Sequence, residues 1–257
     1  MKILVIIKQT FDTEAKIVIK DGAIDGSDVK QILNPYDEYA VEEAVQMKEK
    51  NGGEVVAVGI SAADFDATLR HVLAMGCDDA VIIDDPAVIN ADAAGRAEAL
   101  AAAVKLQEYD LILCGYTMID CGDGEVVSRL AELLGLGQIM TVNALEIADG
   151  KAAAKCDFDT GALAVEGSLP LMIGVDKGIN EPRYPGMKSI MQGRKKAKKA
   201  KKMTLADLGL SASAPKVKTI EYTLPPVRGE GKILSGKPVS AMAAELVELL
   251  HSEAKIV

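Results

Sequence analysis

Four short apolar runs, separated by segments with helical periodicity, constrain the fold of this chain more than any other feature. They lie at residues 2–8, 54–60, 80–83 and 110–115. Nearly uninterrupted apolar runs of this length are typical of strands that are buried on both faces of a parallel sheet. Because helical segments alternate with them, the sequence predicts an α/β fold, with a doubly wound, Rossmann-like parallel sheet in a three-layer α/β/α core.

The clearest helix signal follows the first run, at Asn34 and Pro35. Asparagine is a good N-cap, proline fits the first helical position, and Asp37 and Glu38 place negative charge in the first turn. We therefore expect a helix that begins at Pro35. Asn34 is expected either to cap this helix or, because it lies near a strand end, to face a ligand.

From residue 139 onward the pattern becomes strand-rich and then irregular. Stretches typical of strands lie at residues 139–147, 151–156, 162–166 and 169–175. The Pro- and Gly-broken stretch that follows carries Tyr184 and Met187, and it predicts an exposed loop with a mobile lysine-rich tail after it.

The C-terminal part of the sequence predicts a separate arm. Residues 211–238 are rich in Pro, Ser and Gly, and a helical pattern at 240–251 places its apolar residues on one face. We expect a helix reached through so much irregular chain to dock on a partner subunit. The predicted organisation is a core at 1–210, which includes a recognition loop at 179–202, and a partner-binding arm at 211–257.

Composition and motifs exclude several classes of function. The sequence has no apolar run of about 18 residues and no secretory leader, so we expect a cytoplasmic protein that is not transmembrane. The four cysteines form no C-x-x-C pair, and there are only two histidines. This removes the usual spacing of metal sites, disulfides and catalytic triads. No metal site and no catalytic residue is predicted.

The basic run from Arg194 to Lys202 holds seven positive charges, although the chain has a net charge of -9. A solvated face is the ordinary explanation of such a run, and contact with a nucleic acid or a membrane surface is the alternative. Aromatic residues do not interleave the lysines, and the chain as a whole is acidic. No nucleic-acid partner is therefore expected.

The segment at residues 115–125 follows the fourth apolar run and leads into a helical pattern. In a doubly wound sheet, ligands bind at the carboxyl ends of the strands, and a helix that starts there can present backbone N–H groups to a phosphate. The sequence contains neither G-x-x-x-x-G-K-[ST] nor G-x-G-x-x-G, so a plain loop remains the alternative.

Several of these stretches together resemble the beta subunit of the electron transfer flavoprotein family, in unbroken order from residue 1 to about 210. They are Lys8-Gln9, residues 34–44 (NPYDEYAVEEA), residues 73–76 (LAMG), residues 110–115 with Ile119-Asp120, residues 179–185 (INEPRYP), and Ile190-Met191 with its lysine-rich tail. The INEPRYP stretch is the specific one, and the others support it.

This resemblance implies an electron carrier rather than a catalyst, working as a heterodimer with an alpha subunit that carries the redox FAD. The beta subunit would bind AMP, or a second FAD in electron-bifurcating types. The expected redox partner is an acyl-CoA dehydrogenase or another flavin dehydrogenase. The alternative is an adenine-nucleotide-binding α/β protein that acts alone and has no redox role.

The family's contact positions fall on two parts of this chain. The implied cofactor-binding residues are Ile6, Asn34, Pro35, Tyr36, Asp37, Ile60, Gly115, Tyr116, Thr117, Met118, Ile119, Asp120, Cys121, Gly122, Asp123, Gly124, Glu125 and Val126. The implied partner-binding residues are Tyr184, Met187, Ile190 and Met191.

The chain departs from the family pattern at Asp123 and Glu125, where the family usually has uncharged polar residues, and at Val127, where it has glycine. At an effective dielectric of about 20, a carboxylate about 5 Å from a phosphate charge costs roughly 3 kcal/mol, whereas a helix N-terminus returns only about 0.3 to 1 kcal/mol. Either these side chains point away from the ligand, or nucleotide affinity is altered or lost.

Overall fold

The computed structural model describes residues 1–27, 29–61, 65–212 and 214–256, which form two compact units, Met1–Glu221 and Tyr222–Val257. The strands are β1 (Lys2–Ile7), β2 (Gln9–Phe11), β3 (Val18–Lys20), β4 (Ala23–Asp25), β5 (Gln31–Leu33), β6 (Glu54–Ile60), β7 (Asp79–Ile83), β8 (Leu111–Gly115), β9 (Gly137–Ala148), β10 (Lys151–Phe158), β11 (Gly161–Ser168), β12 (Leu171–Val175) and β13 (Lys201–Met203). The helices are α1 (Pro35–Asn51), α2 (Phe65–Met75), α3 (Pro86–Ile89), α4 (Ala93–Lys105), α5 (Glu125–Leu134), α6 (Met187–Ala197) and α7 (Val239–Ser252).

The main sheet of the first unit has the strand order β11-β10-β9-β12-β8-β1-β6-β7-β13. The strands from β9 through β12, β8, β1, β6 and β7 to β13 pair in parallel, whereas β9, β10 and β11 pair antiparallel. The chain runs from β1 outward to β6 and β7 and then returns to β8 on the other side of β1. The order of the strands therefore reverses between β1 and β8, where a doubly wound sheet opens a crevice for ligands.

Hydrophobic layers cover both faces of the parallel part of this sheet, as the apolar runs predict. Along β1, Ile3 and Val5 pack with α1 and α2 on one face, while Leu4 and Ile6 pack with α4 and α5 on the other. All four side chains are buried, because successive residues of a strand point to opposite faces. The predicted α/β class and its doubly wound core are confirmed.

The prediction of a loop with a mobile basic tail is wrong for residues 187–203. Residues 187–197 form helix α6, whose N-cap is Gly186, and the end of the basic run forms β13, which pairs in parallel with β7. The half-buried side chain of Ala197 packs against the core. Tertiary contacts therefore fix a segment whose lysine-rich composition indicated a solvated tail.

The second unit, Tyr222–Val257, contains helix α7. None of the residues described for this helix is buried, and Val239 and Val247 are among its exposed apolar side chains. Lys237 Nζ donates a hydrogen bond to Glu245 at 2.7 Å beside its first turns. Across the described parts of both units, we find no helix with the length and apolar character that crossing a bilayer requires.

Candidate functional site

Asp37 ties together the carboxyl ends of β1 and β8, where the candidate site lies. Its side chain is fully buried; Oδ2 accepts a hydrogen bond from the backbone N–H of Lys8 at 2.7 Å, and Oδ1 accepts one from the N–H of Gly115 at 2.9 Å. A Cβ atom on Gly115 would lie 2.5 Å from the Cβ of Tyr36, so this close approach of β8 to α1 requires glycine. A buried carboxylate thus holds the switch point together.

Asn34 occupies the N-cap position of α1, but its side chain makes no capping hydrogen bond, so the predicted cap is wrong in this respect. The Asn34 Nδ2 atom instead donates to the carbonyl oxygen of Thr117 at 3.0 Å, and Oδ1 accepts from the N–H of Ile119 at 3.4 Å. The Asn34 side chain is hydrogen-bonded to the backbone of the loop after β8 and not to the backbone of its own helix. Asn34 therefore positions this loop, and its contact with a ligand stays a prediction.

The loop after β8, residues 116–124, folds back on itself. The N–H of Met118 donates to the carbonyl oxygen of Asp123 at 3.0 Å, and the N–H of Gly122 donates to that of Met118 at 2.8 Å. A Cβ atom on Gly124 would lie 2.6 Å from the carbonyl oxygen of Tyr116, so the two ends of the loop meet closely. The loop is a compact turn that enters α5 directly.

The remaining predicted cofactor residues lie along the same edge of the sheet. Ile6 and Ile60 are near the ends of β1 and β6; Ile6 lies in the core on the face that α4 and α5 cover, and the partly buried Ile60 and Val126 pack against it. The rings of Tyr36 and Tyr116 make an edge-to-face contact with centroids 5.0 Å apart. The structure therefore brings residues 34–37 and 115–126 together at the switch point; their contact with a nucleotide stays a prediction.

Three groups beside the loop that could bind an anion are already paired with carboxylates of the chain itself. Lys8 Nζ lies 2.7 Å from both carboxylate oxygens of Asp120, and the N–H of Glu125, at the start of α5, donates to Asp123 Oδ1 at 2.5 Å. Glu125 in turn pairs with Arg129 one helical turn later. A nucleotide phosphate needs free donors and positive charge, so Lys8, the N–H of Glu125 and Arg129, as they are paired here, do not fit a phosphate at this end of the loop.

The buried carboxyl of Asp37 predicts a pH-dependent stability. Burial raises its pKa to about 7, although the hydrogen bonds from Lys8, Asn34 and Gly115 act to lower it. Because this value lies above that of an unfolded aspartate, about 3.9, the group stabilises the fold at low pH, and its contribution is lost as the pH rises through about 7. We expect the unfolding free energy of the wild type to fall between about pH 4 and pH 7 relative to that of Asp37→Asn, whose side chain does not titrate. Urea titrations across this range measure the difference; parallel pH profiles would contradict it.

The predicted partner-binding residues form one surface, here called the docking surface, made of Tyr184, Met187, Ile190 and Met191. Tyr184 is 94% exposed, Met187 79% and Met191 60%, and Ile190 is half-buried beside them. Met187 is the first residue of α6 and not the tip of a loop. Large apolar side chains this exposed on a structured element are typical of a protein–protein contact.

An ion-pair network fixes the chain directly before the docking surface. Arg183 Nε donates to Glu42 at 2.8 Å, and its two terminal nitrogens reach Glu49 at 2.6 and 2.9 Å. Asn180 Nδ2 donates to the carbonyl oxygen of Tyr39 at 3.1 Å. The sequence did not predict the contact between Arg183 and Glu42; a glutamate beside the apolar face of α1 was the available signal.

Gly193 of α6, also missed, sets the distance between α6 and α2. A Cβ atom at this position would lie 2.7 Å from the carbonyl oxygen of Arg70 and 2.9 Å from the backbone nitrogen of Ala74. The two helices are therefore in backbone contact at this point, which gives the docking surface a fixed support. The one sequence signal for this close contact was a glycine directly before the basic run.

Comparison with known proteins gives a consistent result. The family described as "Electron transfer flavoprotein domain" matches residues 21–208. The electron transfer flavoprotein subunit beta of Bacillus subtilis is 44% identical over 258 residues, covering 100% of both chains, and that of Syntrophomonas wolfei is 41% identical, covering 100% of this chain and 98% of its own. The caffeyl-CoA reductase-Etf complex subunit CarD of Acetobacterium woodii is 33% identical, with 98% of this chain and 99% of its own covered.

Proposed function

The chain belongs to the electron transfer flavoprotein family, and we propose that it is the beta subunit of a heterodimer whose alpha subunit holds the redox FAD. The full-length match to beta subunits carries this proposal. The flavin supplies the redox chemistry of the complex. The residues of this chain then have to present a surface to the electron-donating or electron-accepting protein and to pair with the alpha subunit.

The docking surface supports the first of these roles. Tyr184, Met187 and Met191 offer apolar contact area, and the Arg183 network and α6 hold them in place before any partner arrives. A pre-ordered anchor loses little conformational entropy on binding. The flanking charges, such as Lys188 and Lys195, are exposed and would speed encounter with an acidic partner. We propose a flavin dehydrogenase as that partner.

The arm supports the second role. Within the unit Tyr222–Val257, the side chains of Val227, Ile233, Val239 and Val247 are exposed. Burying apolar side chains contributes about 1.5 to 3 kcal/mol each when the burial is complete. A subunit contact that covers α7 and its approach would therefore stabilise the heterodimer substantially, and we propose that the alpha subunit provides it.

Co-expression with the alpha subunit of the same organism tests this function. We expect a yellow heterodimer that contains FAD. Under anaerobic conditions, a flavin dehydrogenase with its substrate should reduce this heterodimer, which should then pass the electrons to a second acceptor. A chain that stays monomeric in sedimentation experiments and recruits no flavin would support the stand-alone alternative.

Met187→Ala should weaken the contact with the redox partner. Full burial of this side chain would contribute about 1.5 to 3 kcal/mol, which corresponds to a roughly ten- to hundredfold change in affinity. We expect KM for the partner to rise within this range while FAD content and melting temperature stay unchanged, because Met187 is exposed in this structure. Leu106→Ala removes another exposed apolar side chain, outside the docking surface, and serves as the control. An unchanged KM, or a melting temperature several degrees lower, would contradict the anchor.

A further inference from the structure

Three groups suited to binding an anion flank the loop at residues 116–124, and an acidic side chain of the chain satisfies each of them. The Lys8 ammonium is held by both carboxylate oxygens of Asp120, at 2.7 Å each. The first N–H of α5, from Glu125, is taken by Asp123 at 2.5 Å. The guanidinium of Arg129 pairs with the carboxylate of Glu125.

These three pairs differ in how readily a ligand could replace them. The Glu125–Arg129 pair is about half exposed on both sides, and pairs of this kind between residues four apart in a helix are weak. The side chains of Lys8 and Asp120 are largely covered, at 27% and 19% exposure, and Asp123 is half-buried. A charged pair shielded from water is screened less and opens less readily. The Lys8–Asp120 pair belongs to the stretches that resemble the family, so Asp123, which departs from the family pattern, is the effective obstacle.

The position of Asp123 makes it a substitute for an anionic ligand. A phosphate at a helix N-terminus accepts hydrogen bonds from the first backbone N–H groups and interacts favourably with the helix dipole. The Asp123 carboxylate takes part of this role, since it is an acidic group at the helix start and accepts from one of these N–H groups, that of Glu125. The backbone of the same residue also closes the loop, through the bond from the N–H of Met118 to the carbonyl oxygen of Asp123 at 3.0 Å.

We propose that Asp123 is a built-in anion that excludes the phosphate of an adenine nucleotide from the N-terminus of α5. The inference rests on the proposed function, because the electron transfer flavoprotein family is what implies a nucleotide at this edge. If Asp123 acts in this way, the beta subunit binds no nucleotide, and the FAD of the alpha subunit is the only nucleotide of the heterodimer.

The nucleotide content of the co-expressed heterodimer tests the proposal directly. Acid release followed by chromatography should give one FAD per heterodimer and no AMP. Stoichiometric AMP, or a second FAD as expected for an electron-bifurcating type, would overturn the exclusion while leaving the proposed function intact. The absence of any FAD would instead count against the proposed function.

Titration of the heterodimer with AMP tests the role of Asp123. Asp123→Ala removes the built-in anion, and we expect it to bind AMP at least about tenfold more tightly than the wild type, with unchanged FAD content. Asp123→Thr, which keeps a short capping hydroxyl, serves if the alanine variant folds poorly. Glu132→Gln removes a carboxylate from the same helix further from its start and should bind AMP as the wild type does. Folded Asp123 variants with no gain in affinity, or an equal gain in Glu132→Gln, would overturn the assignment.

Discussion

Arg183→Met is expected to destabilise the fold by about 3 to 5 kcal/mol, because it leaves a buried carboxylate without its partner. The Glu42 side chain is only 3% exposed, and three nitrogens of Arg183, the backbone N–H and two of the guanidinium, donate to its oxygens at 2.8 to 3.1 Å. Methionine fills a similar length but offers no side-chain donor, so Glu42 keeps only the bonds from the backbone N–H of residue 183 at 3.1 Å and from Gln46 at 2.8 Å, and no positive charge. Urea unfolding with a fluorescence or circular-dichroism readout measures the loss.

The pH dependence of this loss identifies its cause. Burial acts to raise the pKa of Glu42, but the hydrogen bonds and charge of Arg183, with Gln46, hold it below its ordinary value. The pair therefore stabilises the wild type above the pKa of an unfolded glutamate, about 4.3, and this contribution is lost as the pH falls through the lower folded value. In Arg183→Met burial acts without the opposing guanidinium, so the carboxyl should protonate more readily. We expect the difference between the two proteins to shrink as the pH falls from about 7.5 to 5.

Two further variants distinguish the effect of losing the Arg183–Glu42 ion pair from the effect of losing one positive charge. Adding Glu42→Gln to Arg183→Met removes the unpaired carboxylate and should restore much of the stability, giving a large coupling energy in a double-mutant cycle. Lys195→Met removes one positive charge from the exposed side of α6 and should change the unfolding free energy by less than about 0.5 kcal/mol. If the double variant is no more stable than Arg183→Met, unpaired burial of Glu42 is not the cause.

The strands of the sheet could be predicted because their signal is local. β1, β6, β7 and β8 each coincide with an apolar run to within about one residue at either end, since burial on both faces demands apolar side chains at successive positions. The start of α1 at Pro35 was readable for a similar reason: proline and the early acidic residues act within one turn.

The sequence predicted the position of the candidate site but not its contacts, because these contacts join residues far apart in the chain. The sequence placed residues 34–37 and 115–126 at strand ends, which parallel sheets bring to one edge. It could not show that Asn34 would bond to the loop instead of capping its own helix, or that Asp123 would take the N–H of Glu125. Such choices depend on which backbone groups tertiary packing leaves without partners.

Helix α6 could not be predicted for the same physical reason. Its sequence carries four positive charges and follows a Pro- and Gly-broken stretch, which indicates a loop with a solvated tail, and Gly193 lowers its helix propensity further. What orders it is contact with α2 at Gly193, a position where the absence of a side chain, and not its presence, permits packing. Helix propensity depends on the local sequence and cannot predict this contact, because the partner atoms belong to Arg70 and Ala74, more than a hundred residues earlier in the chain.

Gly193→Leu should therefore separate α6 from α2 and displace the docking surface. The added side chain meets backbone atoms of α2, at 2.7 Å for the Cβ atom and the carbonyl oxygen of Arg70, and backbone atoms cannot rotate away as a flexible side chain does. Leucine is a better helix former than glycine by nearly 1 kcal/mol, so any destabilisation comes from the contact and not from helix propensity. We expect a loss of about 3 kcal/mol or more in unfolding free energy.

Gln192→Leu is the matched control, because it adds the same side chain one residue earlier, at an exposed position of the same helix. Hydrogen exchange should show faster exchange across α6 in Gly193→Leu and not in the control. Electron transfer from the proposed flavin dehydrogenase partner should slow in the same variant even where the protein remains folded, since Met187 and Tyr184 then lose their fixed support. Equal stability and equal exchange in the two leucine variants would mean that α6 shifts without cost, and that the backbone contact at Gly193 does not position the docking surface.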